Sequence, residues 1–160
     1  MNRFFKTVLL TGLFVGTTDL LYAIISVTVR SGKFPSKMLY YIAGGALGLD
    51  SSLKGGNWVA FLGLFFHYFN AFAFTLSFFV VFPRWRFLSF NKYLVGMLYG
   101  VFVNLFMGQV ILRLSRLPVG PFNLADSVMD WIIFGVVFGI PIAWNAYKYY
   151  GVETTGAAIR

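Results

Sequence analysis

An aspartate in the middle of an apolar run is the residue of this sequence best placed to do chemistry. Asp19 lies inside the stretch 7–29, flanked by Lys6 and Arg30. A carboxylate at such a position in a membrane helix costs about 2.5–3.5 kcal/mol on insertion scales, so it is usually paired, set in a cavity or functional. His67, the chain's single histidine, holds a comparable place in a second apolar run, 58–82, and Asn104 does so in a third, 93–112. Counted from the side of the first connection, Asp19 and His67 are about ten residues deep and Asn104 about nine; at about 1.5 Å per residue all three reach roughly 14–15 Å, the middle of a bilayer core.

Spacings of three and four place Asn70 on the face of His67, and Gln109 follows just over a turn beyond Asn104. Asp19, His67, Asn70, Asn104 and Gln109 are therefore the candidate ligand- or proton-binding set. A carboxylate near an imidazole that titrates around neutrality suits a cation, a polar headgroup or a proton. The same residues have a plainer use. The pair can fix helix register, and Asn70 and Asn104 can serve as interhelical hydrogen-bond glue worth on the order of 1 kcal/mol each. Asp130 stands about one turn inside the fourth run. Arg113 and Arg116 close the third run on the same side, so a structural ion pair among these three is expected.

The elements that must position these residues follow from composition. The chain of 160 residues is 59% hydrophobic, 21% aromatic and only 11% charged. Soluble domains carry about 25% charged residues, so this is a membrane composition with room for one domain. Four runs, 7–29, 58–82, 93–112 and 127–149, each exceed the roughly 18 apolar residues that mark a spanning helix. The expected fold is all-α: a polytopic membrane protein whose four-transmembrane-helix bundle fills residues 1–150, with 151–160 as a flexible tail. Small residues recur at helical spacing on each run: Gly12 and Gly16, Ala60 and Gly63, Gly96 and Gly100, Gly135 and Gly139. In lipid such stripes let helix backbones approach closely.

The connections differ in kind. Residues 35–48 begin at Pro35, carry Met38, Leu39 and Ile42 beside Lys33 and Lys37, and meet Gly44, Gly45 and Gly48, the pattern of a short interfacial or re-entrant helix. The second connection, Pro83-Arg84-Trp85-Arg86, is short and basic. The third ends in Asn123-Leu124-Ala125 before Asp126, an N-cap with an acid at N3. Ile140-Pro141 is expected to kink the fourth helix and free a carbonyl. The apolar start continues past its one poor cleavage candidate at Ala23, so an uncleaved first helix is expected.

Composition also excludes. There is no cysteine, which removes disulfides, Cys-ligated metal and the four-helix disulfide-forming membrane enzymes. No cofactor is implied. One histidine leaves a metal site undefined within a single chain. Ser51-Ser52-Leu53-Lys54 spells S-x-x-K without its companion motifs, and Gly44-Gly45-Ala46-Leu47-Gly48 lacks the spacing of a dinucleotide loop. The net charge of +8 falls between apolar runs, where anionic headgroups rather than nucleic acid are the natural partner. Seven basic residues (Arg3, Lys6, Arg84, Arg86, Lys92, Lys148, Arg160) stand on the side of the termini and six (Arg30, Lys33, Lys37, Lys54, Arg113, Arg116) on the other, which narrowly favours cytoplasmic termini.

Gly16-Thr17-Thr18-Asp19-Leu20-Leu21-Tyr22-Ala23, Ile42-Ala43-Gly44-Gly45-Ala46-Leu47-Gly48, Leu62-Gly63-Leu64-Phe65-Phe66-His67, Tyr99-Gly100, Met107 and Gly139-Ile140-Pro141 together resemble a loose group of uncharacterised bacterial four-helix inner-membrane proteins. The resemblance covers most of the chain and implies that architecture and that membrane, but no chemistry. Two functions are expected of such a chain. One is binding or transport of a small polar or cationic solute or a proton at the polar layer. The alternative is a structural or accessory subunit, in a homo-oligomer or beside another membrane protein, with no chemistry of its own. An intramembrane enzyme would need a nucleophile or metal that the sequence does not offer.

Overall fold

Long apolar runs suit helices, because a helix satisfies the backbone N–H and C=O groups of a segment within that segment. The computed structural model describes residues 2–118 and 124–152. Among these it shows helices α1 (Arg3–Ser31), α2 (Met38–Leu47), α3 (Leu49–Leu53), α4 (Asn57–Val81), α5 (Lys92–Phe106), α6 (Leu112–Leu114), α7 (Leu124–Phe134) and α8 (Ile140–Tyr150), and no strand. A π turn, Met107–Ile111, joins α5 to α6, and a second, Gly135–Gly139, joins α7 to α8. Four continuous helices are long and apolar enough to cross a membrane: Arg3–Ser31, Asn57–Arg84, Lys92–Leu114 and Ser127–Tyr150.

Capping sets the ends. The Asn2 side chain accepts from the Phe4 amide at 3.3 Å, so α1 starts ahead of its apolar run and takes Arg3 and Lys6 into its first turns. Gly32, at φ 66°, closes it in the left-handed conformation that glycine adopts without strain. Between α4 and α5 lie two 3-10 turns, and the Asn91 side chain caps α5 by accepting from the Tyr93 and Leu94 amides at 2.9 and 3.2 Å. The short helix expected at 35–48 is α2. It packs along α4, where Gly63 admits the Leu39 backbone so closely that no side chain would fit. The N-cap expected at Asn123 and the tail from residue 153 lie outside the described residues.

Packing uses the small-residue stripes. α1 lies on α4 and α8, while α5 lies on α7, α8 and the π turn between them. The second contact sets backbone against backbone: a Cβ on Gly96 would stand 2.6 Å from Ile140 Cα, and one on Gly100 would stand 2.5 Å from Gly135 Cα. The π turn also resolves the expected proline defect. The Ile140 amide bonds back to the Gly135 carbonyl, so the helix widens just ahead of Pro141 and continues.

Tyrosine hydroxyls tie the bundle. Tyr147 donates to the Leu88 carbonyl at 2.7 Å and Tyr150 to the Phe79 carbonyl at 2.8 Å, fixing the second 3-10 turn and the last turns of α4 to α8. The core between them is aromatic, with Phe78, Phe79, Phe82 and Tyr147 almost fully buried. In contrast, α4 and α5 stand apart although they are consecutive in the chain. Tyr99 bridges them, giving its hydroxyl to the Phe74 carbonyl at 2.6 Å.

Candidate functional site

The gap between α4 and α5 is where the polar residues gather. Asp19 from α1, His67 and Asn70 from α4 and Asn104 from α5 line one cavity of about 180 Å³. The equal depth counted from the sequence thus corresponds to a shared space. Ile42, Phe74, Val103, Met107, Phe134 and Phe138 supply much of its apolar wall.

Two glycines on α1 make the arrangement possible. A Cβ on Gly16 would come within 2.9 Å of the Tyr68 ring and 3.1 Å of Ala71 Cβ, and Gly12 is pressed against the Phe72 ring. α1 therefore lies close enough for His67 to reach across to it, with Nε2 2.7 Å from the Gly16 carbonyl oxygen. A carbonyl only accepts, so Nε2 carries the proton of that bond and Nδ1 is left for other work. The Tyr68 ring meets the imidazole edge-on at 5.4 Å, and its hydroxyl shares a 2.8 Å hydrogen bond with Thr17. The imidazole is held at one nitrogen and along one flank.

Asp19 is three residues beyond Gly16 on the same helix face. It lies near enough to His67 for their charges to interact, yet its carboxylate makes no hydrogen bond or ion pair to the protein among the described residues. Asn70 and Asn104 make no side-chain hydrogen bond to the protein either. This corrects their expected role as interhelical glue: the two amides face a cavity from opposite helices instead of bonding across the interface. Every fully enclosed side-chain polar atom among the described residues has a partner, so the unbonded polar atoms of Asp19, Asn70 and Asn104 are not fully enclosed and are open to the cavity that they line.

A larger, open groove of about 700 Å³ borders the first. The two share Ile42, Asn70, Asn104 and Met107, which stand at their boundary. Its walls are mostly apolar, with Phe65, Phe66 and Phe69 on α4 facing Ile111 and Leu114 beyond the α5 end, and α2 across the top. Gly108, in the π turn, has nothing within 4 Å of where a Cβ would be, so this glycine widens the space instead of tightening a contact. π turns inserted in α-helices recur at functional sites, and both of those here border the cavities.

Two further expectations fail. Gln109 is exposed and lines neither cavity. Five residues beyond Asn104 is about 140° around an α-helix, and the π turn does not bring it back. Asp130 does not pair with Arg113 or Arg116. Its cation is Arg30, at 3.1 Å, and the Tyr22 hydroxyl donates to the same oxygen at 3.0 Å. α5 is the helix packed on α7, but it is the Tyr22 and Arg30 side chains of α1 that reach Asp130. Both side chains of the pair are more than a third exposed, so it contributes at most about 1 kcal/mol.

The apolar half of the site went unread in the sequence. Met107, Phe134 and Phe138 look like ordinary core positions; the hint was the pairing of Phe134 and Phe138 with Gly135 and Gly139, which turns the rings towards one side. The rings stack at 4.8 Å. No three of His, Asp and Glu gather to hold a metal among the described residues. Compared with protein families, curated proteins and solved structures, the chain finds no match.

Proposed function

We propose that this chain is a membrane-embedded binding or transport protein that takes a small polar or cationic group, with a linked proton, at Asp19, His67, Asn70 and Asn104. One observation carries the reading: side chains from three helices turn a carboxylate, an imidazole and two amides into one cavity without spending them on each other. Inert bundle packing would pair such groups, because an unpaired polar group in a low-dielectric interior costs free energy. The free carboxylate attracts a cation, the amides orient it, and His67 Nδ1 offers a proton site beside it. The larger groove is the route by which the ligand arrives between α4 and α5. The basic residues at the chain's ends and the resemblance noted above support placement in a bacterial inner membrane with cytoplasmic termini.

Asp19→Asn tests this directly, because it removes the charge and keeps the shape. In nanodiscs, methylammonium binding and its accompanying proton exchange, followed by calorimetry in two buffers of different ionisation enthalpy, should weaken at least tenfold while the melting temperature is kept. Equal loss of binding and of folding, or loss of stability with no solute-dependent signal in the parent protein, would point instead to an accessory subunit whose polar layer specifies packing.

A further inference from the structure

A second site lies at the opposite end of the molecule, on its outer surface between α1 and α8. Arg3, Thr7, Leu10, Thr11 and Phe14 from α1 face Asn145, Lys148 and Tyr149 from α8 across a cleft of about 460 Å³. Two cations line it and no carboxylate does among the described residues. Neither Arg3 nor Lys148 has an ion pair among those residues. The Arg3 guanidinium lies instead over the Tyr149 ring, at 5.5 Å from its centre, which holds a cation without neutralising it.

The polarity of the cleft is graded along the helix. Arg3 is in the first turn of α1 and Lys148 in the last turn of α8, so both mark one edge of the bundle. Thr7 and Asn145 follow inward, and then the exposed Leu10 and Phe14, with Thr11 buried at the floor between them. From Arg3 to Phe14 the helix rises about 16 Å, the depth of a lipid headgroup together with the first part of its chain. A soluble anion would use only the top of this cleft, and an apolar ligand only the bottom.

We infer that this cleft binds an anionic phospholipid, its phosphate between Arg3 and Lys148 and one acyl chain along Leu10 and Phe14. A basic residue near an anionic membrane surface contributes about 1 kcal/mol, about a fivefold effect on affinity, so the two together should select an anionic over a zwitterionic lipid by more than tenfold. The site is independent of the polar cavity and stands whether or not that cavity binds a solute.

Native mass spectrometry of the full chain, released from non-ionic detergent after adding equal phosphatidylglycerol and phosphatidylcholine of identical chains, reads this selectivity. Phosphatidylglycerol should be retained more than tenfold in excess by the parent. The Arg3→Gln/Lys148→Gln pair should bring the ratio near unity, whereas Arg84→Gln/Arg86→Gln, at the same edge but outside the cleft, should leave it. Thermal stabilisation by phosphatidylglycerol, absent with glycerol phosphate that lacks acyl chains, should follow the same pattern. Undiminished selectivity in Arg3→Gln/Lys148→Gln would overturn the inference, as would equal loss in both double variants, or stabilisation by glycerol phosphate as strong as by the lipid.

Discussion

Gly100→Val should prevent the bundle from assembling, while the same change eight residues on, at Gly108, should be tolerated. Both glycines belong to one stripe on the third long helix, and the sequence gives no ground for separating them. At Gly100 a Cβ would lie 2.5 Å from Gly135 Cα and 2.8 Å from both the Gly135 nitrogen and the Phe134 oxygen. These are backbone atoms, which no rotamer change can move. Restoring an ordinary carbon–carbon separation of about 3.5–4.0 Å means driving the two helices apart by about an ångström, with loss of packing along the whole contact. Overpacking of a core costs about 1–3 kcal/mol when side chains can adjust, and more is expected where they cannot. At Gly108 a new side chain meets open space. Thermal unfolding in detergent, read by circular dichroism, should show Gly100→Val without a cooperative transition and Gly108→Val within a few degrees of the parent.

The second large effect is expected from Asn70→Leu combined with Asn104→Leu. If the amides held helices together, replacing both would weaken the bundle, and this is the outcome that a packing role requires. They make no hydrogen bond to the protein among the described residues, so the folded state has no such bonds to lose. Leucine at these positions should keep stability or raise it, because a polar group in an apolar setting is removed. Binding should behave in the opposite way. A hydrogen bond to a charged group contributes about 1.5–3 kcal/mol, so losing two should weaken a cationic ligand on the order of a hundredfold or more. Paired melting curves and binding isotherms separate the two effects. A fall of several degrees in the double variant with unaltered methylammonium binding would return the polar layer to a structural role.

Much of this architecture was legible because helices long and apolar enough to cross a membrane leave a strong sequence signal. Each spanning helix needs a long apolar run, and each close helix contact needs small residues, so the four long helices and the Gly96–Gly100 and Gly135–Gly139 stripes stand out in the sequence. The depth of Asp19, His67 and Asn104 was also countable, since rise per residue is fixed once the helix is known. What the sequence withheld was neighbourhood. Asp130 was matched to Arg113 and Arg116 by their position at the same end of the helices, and only the folded chain shows the long Arg30 side chain of α1 reaching it instead. The π turns were equally hidden: one lies where Gly135 and Gly139 meet α5, and the other, Met107–Ile111, has no such contact at Gly108 and leaves Gln109 on the outside. Nor does the sequence show that Tyr99, Tyr147 and Tyr150 are hydroxyl donors that pin separate segments of the chain to each other. The separation of α4 from α5, on which both cavities depend, has no signature in either helix taken alone.

The central claim is that the polar side chains around Asp19 face a space that a ligand can enter. The natural absence of cysteine allows a direct measurement of it. Asn104→Cys places one thiol at a position that lines both the cavity and the groove, and Ala143→Cys places another at a fully buried position on α8 as the control. Treated in intact membranes with a small cationic thiosulfonate that crosses bilayers, Asn104→Cys should be modified, and added methylammonium should slow the reaction only where Asp19 is retained. Ala143→Cys should stay unmodified throughout. An Asn104→Cys thiol as inert as the control, in protein that remains folded, would contradict the claim and mark the layer as a closed, dry interface.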